Sequence, residues 1–284
     1  MAQPLPFRHG FQKQGGQGVS DLRGKVAFVT GGTGGIGRGI ALRLAARGAD
    51  IAVNGRDPAK GAAVVAEIRA MGRRACFVAG DVRSRADMDA AMAETVRRLG
   101  GVDIVVANAG GSDDEARSPK VRGPFPDIDL ERAAAFIAKS VLGKLLVVQA
   151  AIPHLRQRGG GSVVFITTEG GRAPTPGQTA VATFSAGIIQ ASKLLSKELA
   201  RDRIRVNCVC VTLVRDTPSW DAAFNTEGGV SDHHRRQYEK IIARAPFGVA
   251  SAEEIGDVVG FFASGDSRYL TGTVVSPTGG LTLH

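Results

Sequence analysis

The stretch KVAFVTGGTGGIG, residues 25–37, decides the fold. Its first six residues are almost all apolar and stop at glycines, which is how a strand buried on both faces of a parallel sheet reads. A helical pattern opens directly behind the glycines and covers residues 36–47. Strand, glycine-rich turn and helix in immediate succession make an anion cradle. Gly31 allows the tight turn, Gly35 lets backbone approach a pyrophosphate, and Gly37 lets the helix pack on the strand. The freed N–H groups and the helix dipole favour negative charge there, with Thr33, Gly34 and Ile36 in the same turn. The plainer alternative is a glycine-rich turn that binds nothing.

Beyond this unit the pattern repeats. ADIAVNGR (49–56), RACFVAGD (74–81), VDIVVANAG (102–110), GSVVFITT (161–168) and IRVNCVCVT (204–212) are strand-like, separated by segments of helical length, and GTVVSP (272–277) follows a helix at 252–263. Strands alternating with helices imply right-handed crossovers. They predict a single α/β domain over residues 21–284: a Rossmann-like, doubly wound parallel sheet flanked by helices. Residues 1–20, rich in Gly and Gln, read as an N-terminal arm. Between 213 and 250 the pattern weakens around Pro218, Trp220, Gly228, Gly229, His233 and His234, so this segment reads as a lid or a substrate-side insertion.

Composition narrows the function. At 43% hydrophobic and 22% charged over 284 residues, with mean hydropathy +0.01, global disorder is excluded. The 38 glycines follow no triplet period, which excludes collagen. Lys and Arg number 36 against 27 acids, a net +9 that attracts anions, a phosphorylated cofactor among them. The basic residues are scattered among acids without a nucleic-acid-binding motif, so no nucleic-acid partner is expected. Cys76, Cys208 and Cys210 suit buried thiols in a reducing compartment better than a disulfide or zinc site, and no metal is expected. Apolar runs such as 145–152 are broken at Gln149 or by charges, and residues 1–18 lack an apolar signal core. A soluble, cytoplasmic protein with no membrane partner is expected.

From residue 22 to residue 280 the chain resembles the short-chain dehydrogenase/reductase family, of the type that includes ketoacyl reductases. The family's glycine motif falls on residues 30–37. The acid that meets the adenine falls on Asp81, followed by Val82, and the NAG motif falls on Asn108, Ala109 and Gly110. AAIPHLRQRGGGSVVFIT (150–167) and AGIIQASKLLSKELARDRIRVN (186–207) match without gaps. The resemblance implies a nicotinamide cofactor, hydride transfer on a small molecule, and a homodimer or homotetramer built through residues 130–158 and 179–201. Val141, Leu145, Val148 and Ile152 are candidates for that face, unless they pack on the sheet within one subunit. At the end of the second strand, where an acid would hold a ribose 2′-OH, the chain reads Asn54, Gly55, Arg56. Arg56 suits a 2′-phosphate, which favours NADP(H); the alternative is a solvent-facing arginine beside Asp57.

The family's proton chemistry uses a Tyr, a Lys four residues on, and a Ser that polarises the carbonyl. Here the Ser position is Thr168, the Tyr position Val181, the Lys position Ser185 and the supporting Asn position Ser140. No Tyr stands between Thr168 and Asn207; the chain has only Tyr238 and Tyr269. Lys193 matches the family's outer-face lysine, the usual PG is Val211–Thr212, and the Asp of the terminal DGG is Thr278. The departures cluster on the catalytic side. The reading that follows is an atypical NADP(H)-dependent oxidoreductase acting on a ketone or alcohol, with an aromatic or polyketide-like hydroxyketone as the best-suited substrate. Thr168 would position the carbonyl, and Ser140 and Ser185 would hold a water chain. The proton would come from solvent, the substrate or a lid group (His233, His234 or Tyr238), while Glu169 points away. A non-catalytic NADP(H)-binding protein or structural subunit, and an isomerase or lyase on the same fold, remain as alternatives.

Overall fold

The computed structural model describes residues 21–110 and 114–282, without the side chains of Asp114 and His233. The N-terminal arm expected at 1–20 therefore lies outside the described residues, as does the side chain of His233. A seven-stranded sheet runs in the order β3-β2-β1-β4-β5-β6-β7, and every pairing is parallel. The strands are β1 (Val26–Thr30), β2 (Asp50–Gly55), β3 (Ala75–Ala79), β4 (Ile104–Ala107), β5 (Gly161–Thr168), β6 (Ile204–Val211) and β7 (Val274–Val275). The chain winds outward from β1 to β3, then returns to β1's other side and winds out to β7. This reversal between β1 and β4 opens a crevice at the carboxyl ends of the strands, where ligands bind in such sheets.

The strands read as unbroken apolar runs because both faces are covered. On one face Phe28, Val105, Val163 and Phe165 pack under α3 (Arg85–Leu99), α5 (Leu130–Gln157) and α6 (Thr179–Glu198). On the other, Val29, Ile51, Val106 and Val164 pack under α1 (Gly35–Ala46), α2 (Pro58–Ala70) and α9 (Ala252–Ala263). Alternate residues of one strand thus enter opposite cores. Each large side chain so buried is worth about 1.5–3 kcal/mol of apolar transfer. Remaining segments are α4 (Asp114–Arg117), α7 (Pro218–Phe224) and α8 (Asp232–Arg244); α7 and α8 fall in the 213–250 segment and pack together around Ala223, Val230 and Tyr238.

Several expectations gain detail. The predicted helices at 36–47, 130–158, 179–201 and 252–263 are α1, α5, α6 and α9, while β7 is only Val274–Val275. Val148 lies in the core and Val141, Leu145 and Ile152 pack partly against it, so these residues serve their own subunit. The exposed apolar side chains on these two helices' middle turns are Leu142 and Leu194, at 54% and 53% exposure. α5 is itself long and apolar enough to cross a membrane by length and composition, contrary to the expectation that charges break every such run. Its apolar stripe is instead spent on the sheet and α6. The three cysteines are buried free thiols, as expected.

Candidate functional site

The crevice holds a cleft of about 440 Å³. One end is the glycine turn. Gly31 adopts φ +62° to leave β1, and a Cβ at Gly37 would lie 2.1 Å from the Gly31 carbonyl oxygen, so α1 packs on the turn only with glycine there. No side chain caps α1 at its N-cap, Gly34, and its first turn has no acid. The orphan N–H groups of Gly35, Ile36 and Gly37 are therefore left to a ligand anion at the cleft wall.

The opposite wall is the loop after β4. Thr30 Oγ1 accepts from the backbone N–H groups of Asn108 and Ala109, each at 3.0 Å, and Asn108 Nδ2 donates to the Thr30 carbonyl at 3.0 Å. From below, Lys144 Nζ donates to the carbonyls of Ala107, Asn108 and Ala109 at 3.3, 2.7 and 3.0 Å. Lys144 sits on α5 with 2% exposure and faces no carboxylate among the described residues. Burial pushes its amine down to about 7, while three carbonyls, one for each N–H of the protonated form, favour keeping the charge. The pattern of α5 did not single out this lysine; its only sequence signal is one cation inside an otherwise apolar stretch.

At the end of the cleft beyond β2 and β3, Asn54 Nδ2 donates to the carbonyls of Val78 and Gly80, tying β2 to the loop after β3. Arg56, Asp81 and Val82 line the cleft there. Asp57 does not pair with Arg56: its carboxylate caps α2, accepting from Ala59 and Lys60 N–H at 3.0 and 3.1 Å. Asp81 is clamped by the Arg83 guanidinium, which holds its carboxyl down to about 2, with Arg56 adding a weaker pull. Arg83, a second cation on this wall, was not foreseen. Val82 meets α5 where Gly143 leaves room, a Cβ there falling 2.9 Å from Val82 Cγ2.

At the other end the wall includes Thr167, Thr168, Val181, Phe184, Leu213 and Tyr238. Thr168 Oγ1 accepts from Gly170 N–H at 3.2 Å, which leaves its proton available to an acceptor in the cleft. Val181, at the family's Tyr position, presents a methyl surface. Ser140 and Ser185 are fully buried and neither lines the cleft; the hydroxyl of each lacks a protein partner. The water chain expected through them would run behind the wall, not along it. Of the candidate proton donors in the 213–250 segment, Tyr238 lines the cleft, whereas His234 is 1% exposed and takes up Arg122. Glu169 is turned into the protein and accepts from Thr282 Oγ1 at 3.0 Å, as its strand-end position predicts. Lys193 is on an exposed face. Arg122 and Lys139, both unforeseen, complete this end.

A glycine turn at the switch point, an uncapped helix above it and a pinned loop opposite define a dinucleotide-binding α/β protein. The comparisons place it more closely. The family model for short chain dehydrogenase matches residues 25–228. The dehydrogenase subunit BbsD of Thauera aromatica, which acts on (2S)-[(R)-hydroxy(phenyl)methyl]succinyl-CoA, is 30% identical over 266 residues, covering 92% of this chain and 98% of that protein. The 3-oxoacyl-[acyl-carrier-protein] reductase FabG of Staphylococcus aureus is 30% identical over 258 residues, covering 90% and 98%. A crystal structure of a short-chain type dehydrogenase/reductase from Mycobacterium marinum superposes with a TM-score of 0.78 at 28% identity, covering 94% and 98%. The chain belongs to the short-chain dehydrogenase/reductase family, whose members are oxidoreductases that bind nicotinamide cofactors and act on small molecules.

Proposed function

We propose that the chain is an NADP(H)-dependent oxidoreductase that reduces a ketone, or oxidises the corresponding alcohol, without the family's Tyr–Lys pair. The observation that carries this reading is the cleft itself, which joins an anion cradle, an arginine at the end of β2 whose neighbouring carboxylates, Asp57 and Asp81, are engaged by other groups, and a hydroxyl wall. The residues fit the cofactor: α1's first turn would hold the pyrophosphate, Arg56 the 2′-phosphate, Asp81 the adenine, and the loop Asn108–Ala109–Gly110 the ribose side. Bound there, NADPH would supply a hydride.

Thr168 would donate a hydrogen bond to the substrate oxygen and fix the carbonyl. Tyr238, the lid hydroxyl on this wall, would give the proton or order the water that gives it. Val181 and Phe184 would exclude bulk water and favour an aromatic or polyketide-like ketone. A homodimer or homotetramer through α5 and α6, with Leu142 and Leu194 covered, belongs to the same reading, as does a cytoplasmic setting.

The test is NADPH oxidation against a panel of aromatic and hydroxylated ketones. Thr168→Ala is expected to lower kcat by about 100-fold with NADPH affinity unchanged, on the scale of one lost donor to a developing oxyanion. An unchanged rate removes Thr168 from the chemistry. A second reading, NADP(H) binding without turnover, draws on the burial of Ser140 and Ser185 away from the cleft. It predicts tight nucleotide binding and no NADPH oxidation with any ketone.

A further inference from the structure

The cleft carries more positive charge at its substrate end than carbonyl chemistry requires. Among the described residues its charged lining is Arg56, Arg83, Arg122 and Lys139 against one acid, Asp81, and that acid is taken up by Arg83. Arg56 and Arg83 follow β2 and β3, on the adenine side of the crevice. Arg122 follows β4 and Lys139 lies on α5, so the topology puts both across the crevice, on the wall shared with Val181, Phe184 and Tyr238.

Arg122 is held but not neutralised. Its Nη1 donates to Nε2 of His234 at 2.8 Å. A guanidinium only donates, so the histidine accepts through a lone pair and its ring is neutral. His234 is fixed in turn by burial and by an edge contact with the Tyr238 ring, centroids 4.5 Å apart. No carboxylate among the described residues pairs with Arg122, and its Nε is buried without a partner. Elsewhere in the molecule most buttressed arginines face an acid: Arg38 faces Glu67, Arg43 faces Asp257 and Arg156 faces Asp202. A neutral buttress positions a cation while leaving its charge for another group. Lys139, its Nζ 5.4 Å from the Phe136 ring centroid, adds a second positive charge to the same wall.

We infer that Arg122, with Lys139 beside it, forms an anion subsite that selects substrates carrying a carboxylate near the reacting carbonyl. This rests on the reading of the cleft as a carbonyl site. Arg122 would grip the carboxylate through paired N–H groups, and Val181 and Phe184 would bound the apolar part of the substrate.

The test uses benzoylformate and its methyl ester as probes, titrated calorimetrically into the full chain with and without saturating NADP⁺. The acid is expected to bind at least about 10-fold more tightly than the ester. Arg122→Gln is expected to erase that preference, weakening the acid about 10- to 100-fold while the ester stays within about threefold. Lys193→Gln, which removes an exposed charge on α6's outer face, is expected to change neither. Equal affinity for acid and ester, binding of neither, or a preference that survives Arg122→Gln overturns the subsite. A loss of NADP⁺ affinity in Arg122→Gln as large as the loss for the acid assigns Arg122 to cofactor phosphate and also overturns it. If the acid binds with an Arg122-dependent preference but NADPH is not consumed, the anion subsite stands and the reductase reading fails.

Discussion

Replacing Arg56 with alanine isolates the source of NADP(H) preference. Arg56 leaves the end of β2 facing the cleft, and its sequence neighbour Asp57 is committed to two N–H groups of α2. The guanidinium therefore reaches the cleft without a competing carboxylate on its own segment. The Asp81 carboxylate nearby is engaged by Arg83. A charge-assisted contact of this kind is worth about 1.5–3 kcal/mol, or roughly 10- to 100-fold in affinity. Arg56 is exposed, so the lower part of that range applies at physiological salt, where the screening length is about 8 Å. Calorimetry of Arg56→Ala with NADPH and NADH should show the NADPH dissociation constant rising about 10-fold or more, while that of NADH changes by less than about threefold. The NADPH loss should shrink as salt is raised. Equal losses for both nucleotides, or no loss for either, refute the assignment of Arg56 to the 2′-phosphate.

Other perturbations probe the supporting structure. Gly37→Ala forces a Cβ to within 2.1 Å of the Gly31 carbonyl oxygen, so both nucleotides should lose about 100-fold or more in affinity; retained binding of either contradicts the close packing of turn and helix. Lys144 binds its proton less tightly when folded, since burial pushes it from 10.5 to about 7. Between those pH values the unfolded chain holds the extra proton, so urea unfolding should show stability rising with pH by up to about 1.4 kcal/mol per unit, relative to Lys144→Met. Identical pH profiles would mean that the three carbonyls keep the ammonium charged throughout. Ser185→Ala removes a buried hydroxyl with no protein partner and is expected to raise the unfolding free energy by up to about 1 kcal/mol; a loss of that size would show that the hydroxyl is satisfied.

The fold was legible because its signals are local. β1 is apolar on both faces, the glycine turn sits directly behind it, and α1 starts where the glycines end, so a few adjacent residues define the unit. Asp57 before Pro58 is a local cap signature as well, separate from its charge beside Arg56. Much of the site is not local. Lys144 acquires its meaning from carbonyls 35 to 37 positions earlier in the chain, and Arg122 from a histidine 112 positions later. No periodicity encodes either pairing. Ser140 and Ser185 fall at family positions that suggest a polar relay, but packing along α5 and α6 seats both behind the cleft wall. Alignment to a motif fixes a residue's place on its helix, and side-chain volume then decides whether it reaches the ligand.

Hydride transfer is the central claim, and isotope transfer measures it directly. The protein is incubated with NADPH deuterated at C4 and an aromatic ketone panel that includes benzoylformate, and the alcohols formed are examined for deuterium on the carbinol carbon. The account predicts deuterium at that carbon, with transfer sharply reduced in Thr168→Ala. Tight NADPH binding with no deuterium in any product would contradict it, and would make the chain a nucleotide-binding member of an oxidoreductase family that has given up the reaction.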